Sequence, residues 1–124
     1  MLAVTISMNR DLSNEGIECS IILTSENNPT YELHFSREVN FRLWFEHVRN
    51  LPGTLFDNRN TFHCCNDQWF EQATKLCFNA DTVPITWDNG DMSIYYFETD
   101  EEYNSYTRDH FEFYRRKDIA IPQC

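Results

Sequence analysis

VPITWDNGDMSIYY, residues 83–96, sets Asn89-Gly90 between two runs rich in apolar residues. Asn-Gly is the preferred centre of a two-residue type I′ hairpin, because both central residues of that turn take positive φ. With Asp88 set against Asp91, Trp87 falls opposite Met92, Ile85 opposite Ile94 and Val83 opposite Tyr96. Every apolar residue on one face then meets another, and a slip of one residue would destroy the match. An antiparallel pair is therefore expected here.

Upstream, Val4, Ile6 and Met8 alternate with Thr5 and Ser7, and Ile17, Cys19, Ile21 and Leu23 alternate with Glu18, Ser20 and Thr24. Both stretches read as half-buried strands. After the turn SENNPT at residues 25–30, Tyr31, Leu33 and Phe35 alternate with Glu32 and His34, extending an antiparallel meander. Ser36 is placed to cap a helix through about Asn50, with Phe41, Trp44, Phe45 and Val48 at helical spacing and Leu51-Pro52-Gly53 as its stop. Val39 and Leu43 lie on the other side of that helix; core packing is expected for them, with a contact surface as the alternative. Residues 54–65 show no period. A second helix is expected from Asn66 or Asp67, with Trp69, Phe70, Ala73, Leu76 and Cys77 on one side.

Downstream, Thr99-x-x-Glu102 is a capping box that starts a last helix. Tyr103, Tyr106, His110, Phe111, Phe113 and Tyr114 fall within an arc of about 160° and form a core face. Glu101, Glu102, Arg108, Asp109, Glu112 and Arg116 occupy the other side. Running back along the sheet, this helix would bring Arg115, Arg116 and Lys117 near Asp88 and Asp91, two carboxylates that the type I′ register sets against each other. The expected fold is one α+β domain over residues 1–124, ordered β-β-β-α-α-β-β-α, with helices packed on one side of a largely antiparallel sheet.

A composition of 41% hydrophobic residues belongs to a folded body even at a net charge of −10. Residues 81–112 hold nine Asp and Glu against Arg108 alone, which is −8 of that −10. A field of this sign repels nucleic-acid phosphates and anionic lipid and favours basic protein partners. The N-terminus lacks the pattern of a secretory signal, and no apolar run approaches the ~18 residues of a membrane span. A cytoplasmic protein is expected, in the host cytoplasm if virus-encoded. Five cysteines, Cys19, Cys64, Cys65, Cys77 and Cys124, are odd in number and include an adjacent pair, which suits reduced thiols better than a disulfide framework.

None of the three glycines belongs to a phosphate-cradling pattern. His63-Cys64-Cys65 with Cys77 and one of His34, His47 or His110 matches no usual zinc spacing. Cys64 has no identifiable oriented base, and neither Asp109 nor Glu112 is placed to orient His110. Asp81, Asp88 and Asp91 lack the spacing of a calcium loop. No cofactor or metal is expected. The functional expectation is a non-catalytic acidic protein-binding module, an inhibitor of the immunity, antitoxin or viral anti-defence type. It would present Asp88, Asp91, Glu98, Asp100, Glu101, Glu102, Asp109 and Glu112 to a basic site on a nucleic-acid-handling protein. The alternatives are a structural or assembly subunit that self-associates through Val39 and Leu43 or through Pro84, Tyr95 and Phe97, and a small enzyme whose site forms only in three dimensions.

Overall fold

The alternation in the first 35 residues produces a three-stranded meander of β1 (Leu2–Asn9), β2 (Cys19–Ser25) and β3 (Tyr31–Phe35). Its register sets Ile6 against Leu23 and Ile21 against Leu33. Val4, Ile6, Cys19, Ile21, Leu23, Leu33 and Phe35 are consequently all buried on one face. The computed structural model describes residues 2–9, 16–26, 28–74 and 82–109. Leu76, Cys77, Asp81, His110, Glu112, the basic run Arg115–Lys117 and Cys124 lie outside them.

The remaining elements are α1 (Glu38–Arg49), β4 (Leu55–Asp57), β5 (Thr61–Cys65), α2 (Asp67–Thr74), β6 (Thr82–Thr86), β7 (Met92–Tyr96) and α3 (Asp100–Asp109). The seven strands form one sheet in the order β4-β5-β1-β2-β3-β7-β6, antiparallel except for β3 with β7. The fold is the expected α+β domain. No helix among the described residues is long and apolar enough to cross a membrane.

α1 and α2 cover the meander's apolar face. Trp44 of α1 is fully buried, and its indole N–H donates to the Ala73 carbonyl of α2 at 2.9 Å. The Tyr96 hydroxyl donates to the Thr74 carbonyl at 3.1 Å. Asn66 caps α2, its side-chain oxygen accepting the Trp69 N–H at 2.9 Å. Val39 and Leu43, expected in the core, are 52% and 53% exposed. The buried stripe of α1 is narrow, and Phe41, Trp44, Phe45 and Val48 are enough to fill the space above the sheet.

The hairpin differs from the expected type I′ turn. Its ladder sets Thr86 against Met92, Ile85 against Ser93 and Pro84 against Ile94, one residue away from the apolar match. The loop is Asp88-Asn89-Gly90, closed by Trp87 N–H to Asp91 O at 2.8 Å and Gly90 N–H to Trp87 O at 2.9 Å. Gly90 has φ +92, whereas Asn89 is not among the residues with positive φ. This is the three-residue loop with a glycine bulge. Asp88 therefore sits inside the turn and does not oppose Asp91.

Apolar matching failed to select the register because both faces of β7 are buried. Ile94 and Tyr96 join the core under α1 and α2, while Tyr95 and Phe97 join Ile17, Ile85 and Tyr106 in a second cluster on the opposite face. α3 packs there, with Tyr103 against Phe97 and Tyr106 against Tyr95 at centroid distances of 5.8 and 5.6 Å. The helices thus occupy both faces, α3 alone on the second, in place of the single helical layer expected.

Residues 54–65, which show no sequence period, contain the β4–β5 hairpin. The Asp57 carboxylate holds its turn by accepting the Arg59 and Thr61 N–H groups at 2.8 and 3.2 Å. A bulge in β5, with Cys64 at φ +64, shifts the register against β1 and breaks the alternation.

Candidate functional site

The acidic residues singled out in the sequence divide into two groups at opposite ends of β7, separated by a five-residue strand of about 16 Å. Glu98, Asp100, Glu101 and Glu102 stand where β7 passes into α3. Asp88 and Asp91 stand at the hairpin turn. α3 runs back between them, but the side chain of Asp109 is outside what the structure describes, as is Glu112.

At the α3 end, the Thr99 hydroxyl caps the helix by accepting the Glu102 N–H at 3.1 Å. The Glu102 carboxylate departs from a capping box. It accepts the Glu98 N–H at 3.2 Å, the Ser36 hydroxyl at 2.6 Å and Arg37 Nε at 2.7 Å. Ser36 is therefore not the cap of α1, which has Arg37 at that position without a side-chain cap. The Glu18 carboxylate accepts the Glu38 N–H at 3.0 Å in its place. Arg37 also lies 3.5 Å from Glu98 and 3.6 Å from Glu18, a single cation among three carboxylates. Burial raises the Glu102 pKa, but the hydrogen bonds from Ser36 and Arg37 outweigh it and hold the carboxyl below its ordinary value. Asp100 and Glu101 are exposed, and their carboxylates have no partner among the described residues.

At the turn end, Asp91 is a structural clamp. One carboxylate oxygen accepts the Thr30 N–H at 2.9 Å, joining the β2–β3 turn to the hairpin, and the other accepts the Asn89 amide at 3.0 Å. Asp88 is exposed and its carboxylate has no partner among the described residues. Between the two turns opens a cleft of about 430 Å³ whose walls include Glu32, Trp87, Asp88, Asp91, Met92 and Ser93. On the other side of Met92 is a second cleft, of about 290 Å³, walled by Tyr31, Phe70, Asp67 and Glu71. Tyr31 and Phe70 stack there at 5.1 Å.

The first cleft is braced by polar groups on the second face of the sheet. The Trp87 indole donates to Ser93 Oγ at 2.8 Å. Ser20 Oγ lies 2.8 Å from His34 Nδ1, and the His34 ring stacks on Tyr95 at 4.4 Å. His34 Nε2 is 3.4 Å from Glu32 Oε2, in electrostatic contact but outside hydrogen-bond geometry. His34 and, less strongly, Ser93 hold the Glu32 pKa below its ordinary value against the opposing effect of burial, so this carboxylate is ionised at neutral pH.

Ser20, His34 and Glu32 have the composition of a hydrolytic triad, which sequence reading missed because the cross-strand pair Ser20–His34 exists only in the folded register. The surroundings do not suit attack on a carbonyl. Ser20 is 7% exposed and lines neither cleft, and the neighbouring strand amides are committed to the sheet ladders, leaving no pair aimed as an oxyanion hole. What the arrangement does well is position Glu32. The one sequence signal for it was the pair Glu32 and His34 alternating with core residues in β3.

His63 Nε2 lies 2.8 Å from Asp57 Oδ2, in a pair at the β4–β5 turn. Cys19 and Cys65 are buried and Cys64 is half-buried, all three free thiols. Among the described residues no group of three His, Cys, Asp or Glu side chains is arranged to hold a metal. No protein-family model, curated protein or solved structure matches the chain.

Proposed function

We propose that the chain is a non-catalytic acidic binding module that presents carboxylates to a basic site on another protein. The type of partner that fits is a nuclease or other nucleic-acid-handling protein, whose phosphate-binding surface an acidic body can occupy, as immunity proteins, antitoxins and viral anti-defence inhibitors do. The observation that carries this reading is that Asp88, Asp100 and Glu101 are exposed with carboxylates left unpaired among the described residues. Fixed, uncompensated charge of one sign steers a partner of the other sign and rejects competitors. Capture from a lysate of the source cells tests it. The reading requires a nucleic-acid-handling protein retained at low salt and released at high salt; retention that salt does not touch would refute it.

A second reading, self-assembly, has its own observation. Val39 and Leu43 lie one turn apart on α1 and are half exposed, and Leu55 on the edge strand β4 is 65% exposed. A concentration-dependent rise in mass by size exclusion, unaffected by salt, would favour it.

A further inference from the structure

We propose that the partner is gripped at the turn end of the sheet, where the two clefts flanking Met92 each receive a basic side chain, a guanidinium or ammonium, from one segment of the partner. This rests on the acidic-module reading and selects one of its two acidic groups.

Three observations favour this end. First, the site is concave and aromatic as well as acidic. Trp87 walls one cleft and the stacked Tyr31 and Phe70 the other, so each offers a ring face together with carboxylates, which is the surface that desolvates and holds an organic cation. Second, no basic side chain is among the walls of either cleft, whereas the carboxylates at the α3 end already surround Arg37. Charge complementarity is unfilled at the turn end and partly filled at the other. Third, the first cleft is preorganised. Ser93, 2% exposed, fixes the Trp87 indole, and the buried Ser20–His34 pair stands behind Glu32. Burying hydroxyls and an imidazole under a sheet is costly unless they hold something, and here they hold the two groups that face the cleft. Met92 alone separates the clefts, so two basic residues close together on one extended segment reach both.

The test is a titration of the full-length chain, labelled with ¹⁵N, with the peptide acetyl-Arg-Gly-Arg-amide, using the citrulline analogue as the uncharged control. The Trp87 indole N–H and the amides of Met92 and Ser93 should shift saturably with the arginine peptide and not with the analogue. The indoles of Trp44 and Trp69, buried in the other core, should stay still. Asp88→Asn, whose carboxylate bonds to nothing among the described residues, should weaken binding about threefold, the scale of one exposed ion pair. Asp100→Asn with Glu101→Gln should leave it unchanged. Shifts confined to the Arg37–Glu102 end, or an Asp88→Asn variant that binds as well as the parent, would overturn the cleft assignment. In the first case the acidic-module reading would stand. Equal shifts with the citrulline peptide would remove the cationic side chain from the account, and salt-insensitive capture of the natural partner would remove the reading beneath it.

Discussion

Ser36 Oγ donates a 2.6 Å hydrogen bond to Glu102 Oε2 across 66 residues of sequence, and the same Oγ accepts the Glu98 N–H at 3.0 Å. The residue that sequence spacing marks as a local helix cap is thus a tie between the two helices that start at this end of the sheet. Ser36→Ala leaves a buried amide without one of its acceptors and Glu102 without a donor. It should destabilise the fold by about 1–3 kcal/mol, read as a lower urea midpoint at unchanged slope.

Glu102 also fixes the acid limit of this junction. Its folded-state pKa is depressed, so the stability it contributes is fully present above the unfolded value near ~4.3 and is lost as pH falls through the folded value. Glu102→Gln should therefore lower stability at neutral pH and make the decline below about pH 4.3 shallower. Urea midpoints measured from pH 7 to pH 2.5 check both; parallel curves for parent and variant would count against the network.

Gly90 should tolerate no branched side chain, since its φ of +92 is open to glycine and, at a cost, to asparagine. Gly90→Val should cost ~1 kcal/mol or more. Asn89→Ala separates the observed loop from a type I′ turn. In the three-residue loop it loses only the 3.0 Å contact between Asn89 Oδ1 and the Asp91 N–H and that between its amide and the Asp91 carboxylate. A loss of about 0.5–1.5 kcal/mol is expected, the worth of such exposed hydrogen bonds.

The legible part of the fold was the part with one buried face. β1 to β3 alternate cleanly because only one side packs on a core, and α1 and α2 announce themselves through Trp44, Val48, Trp69 and Phe70. β7 was misregistered because Ile94 and Tyr95 are both buried, on opposite faces, so matching apolar residues could not choose between neighbouring registers. β4 and β5 were silent because three residues and a bulged five carry too few alternations to show a period. Of the candidate site, Asp88, Asp100 and Glu101 could be named as surface acids. The inward use of Asp91 and Glu102, and the contribution of Glu32 and Trp87 to a cleft, depend on contacts between distant segments that no local pattern encodes.

The cysteines should differ in reactivity. Burial pushes the Cys65 thiol up to about 11, whereas Cys64 beside it is half-buried. Peptide mapping after brief iodoacetamide treatment at pH 8 should show Cys64 alkylated well before Cys65, since the thiolate is the reacting species. The reverse order would mean that the β5 bulge turns the two side chains the other way.

The central claim, that unpaired carboxylates draw a basic partner, is tested most directly by association kinetics. The measurement is the on-rate of the captured partner with the parent chain and with Asp88→Lys, Asp100→Lys and Glu101→Lys combined, from low to high ionic strength. These three side chains are exposed and their carboxylates unpaired among the described residues, so stability should stay within about 0.5 kcal/mol per site. The account predicts an on-rate lower by about tenfold or more at low salt, with a flattened salt dependence. An unchanged on-rate with the parent's salt dependence would contradict it.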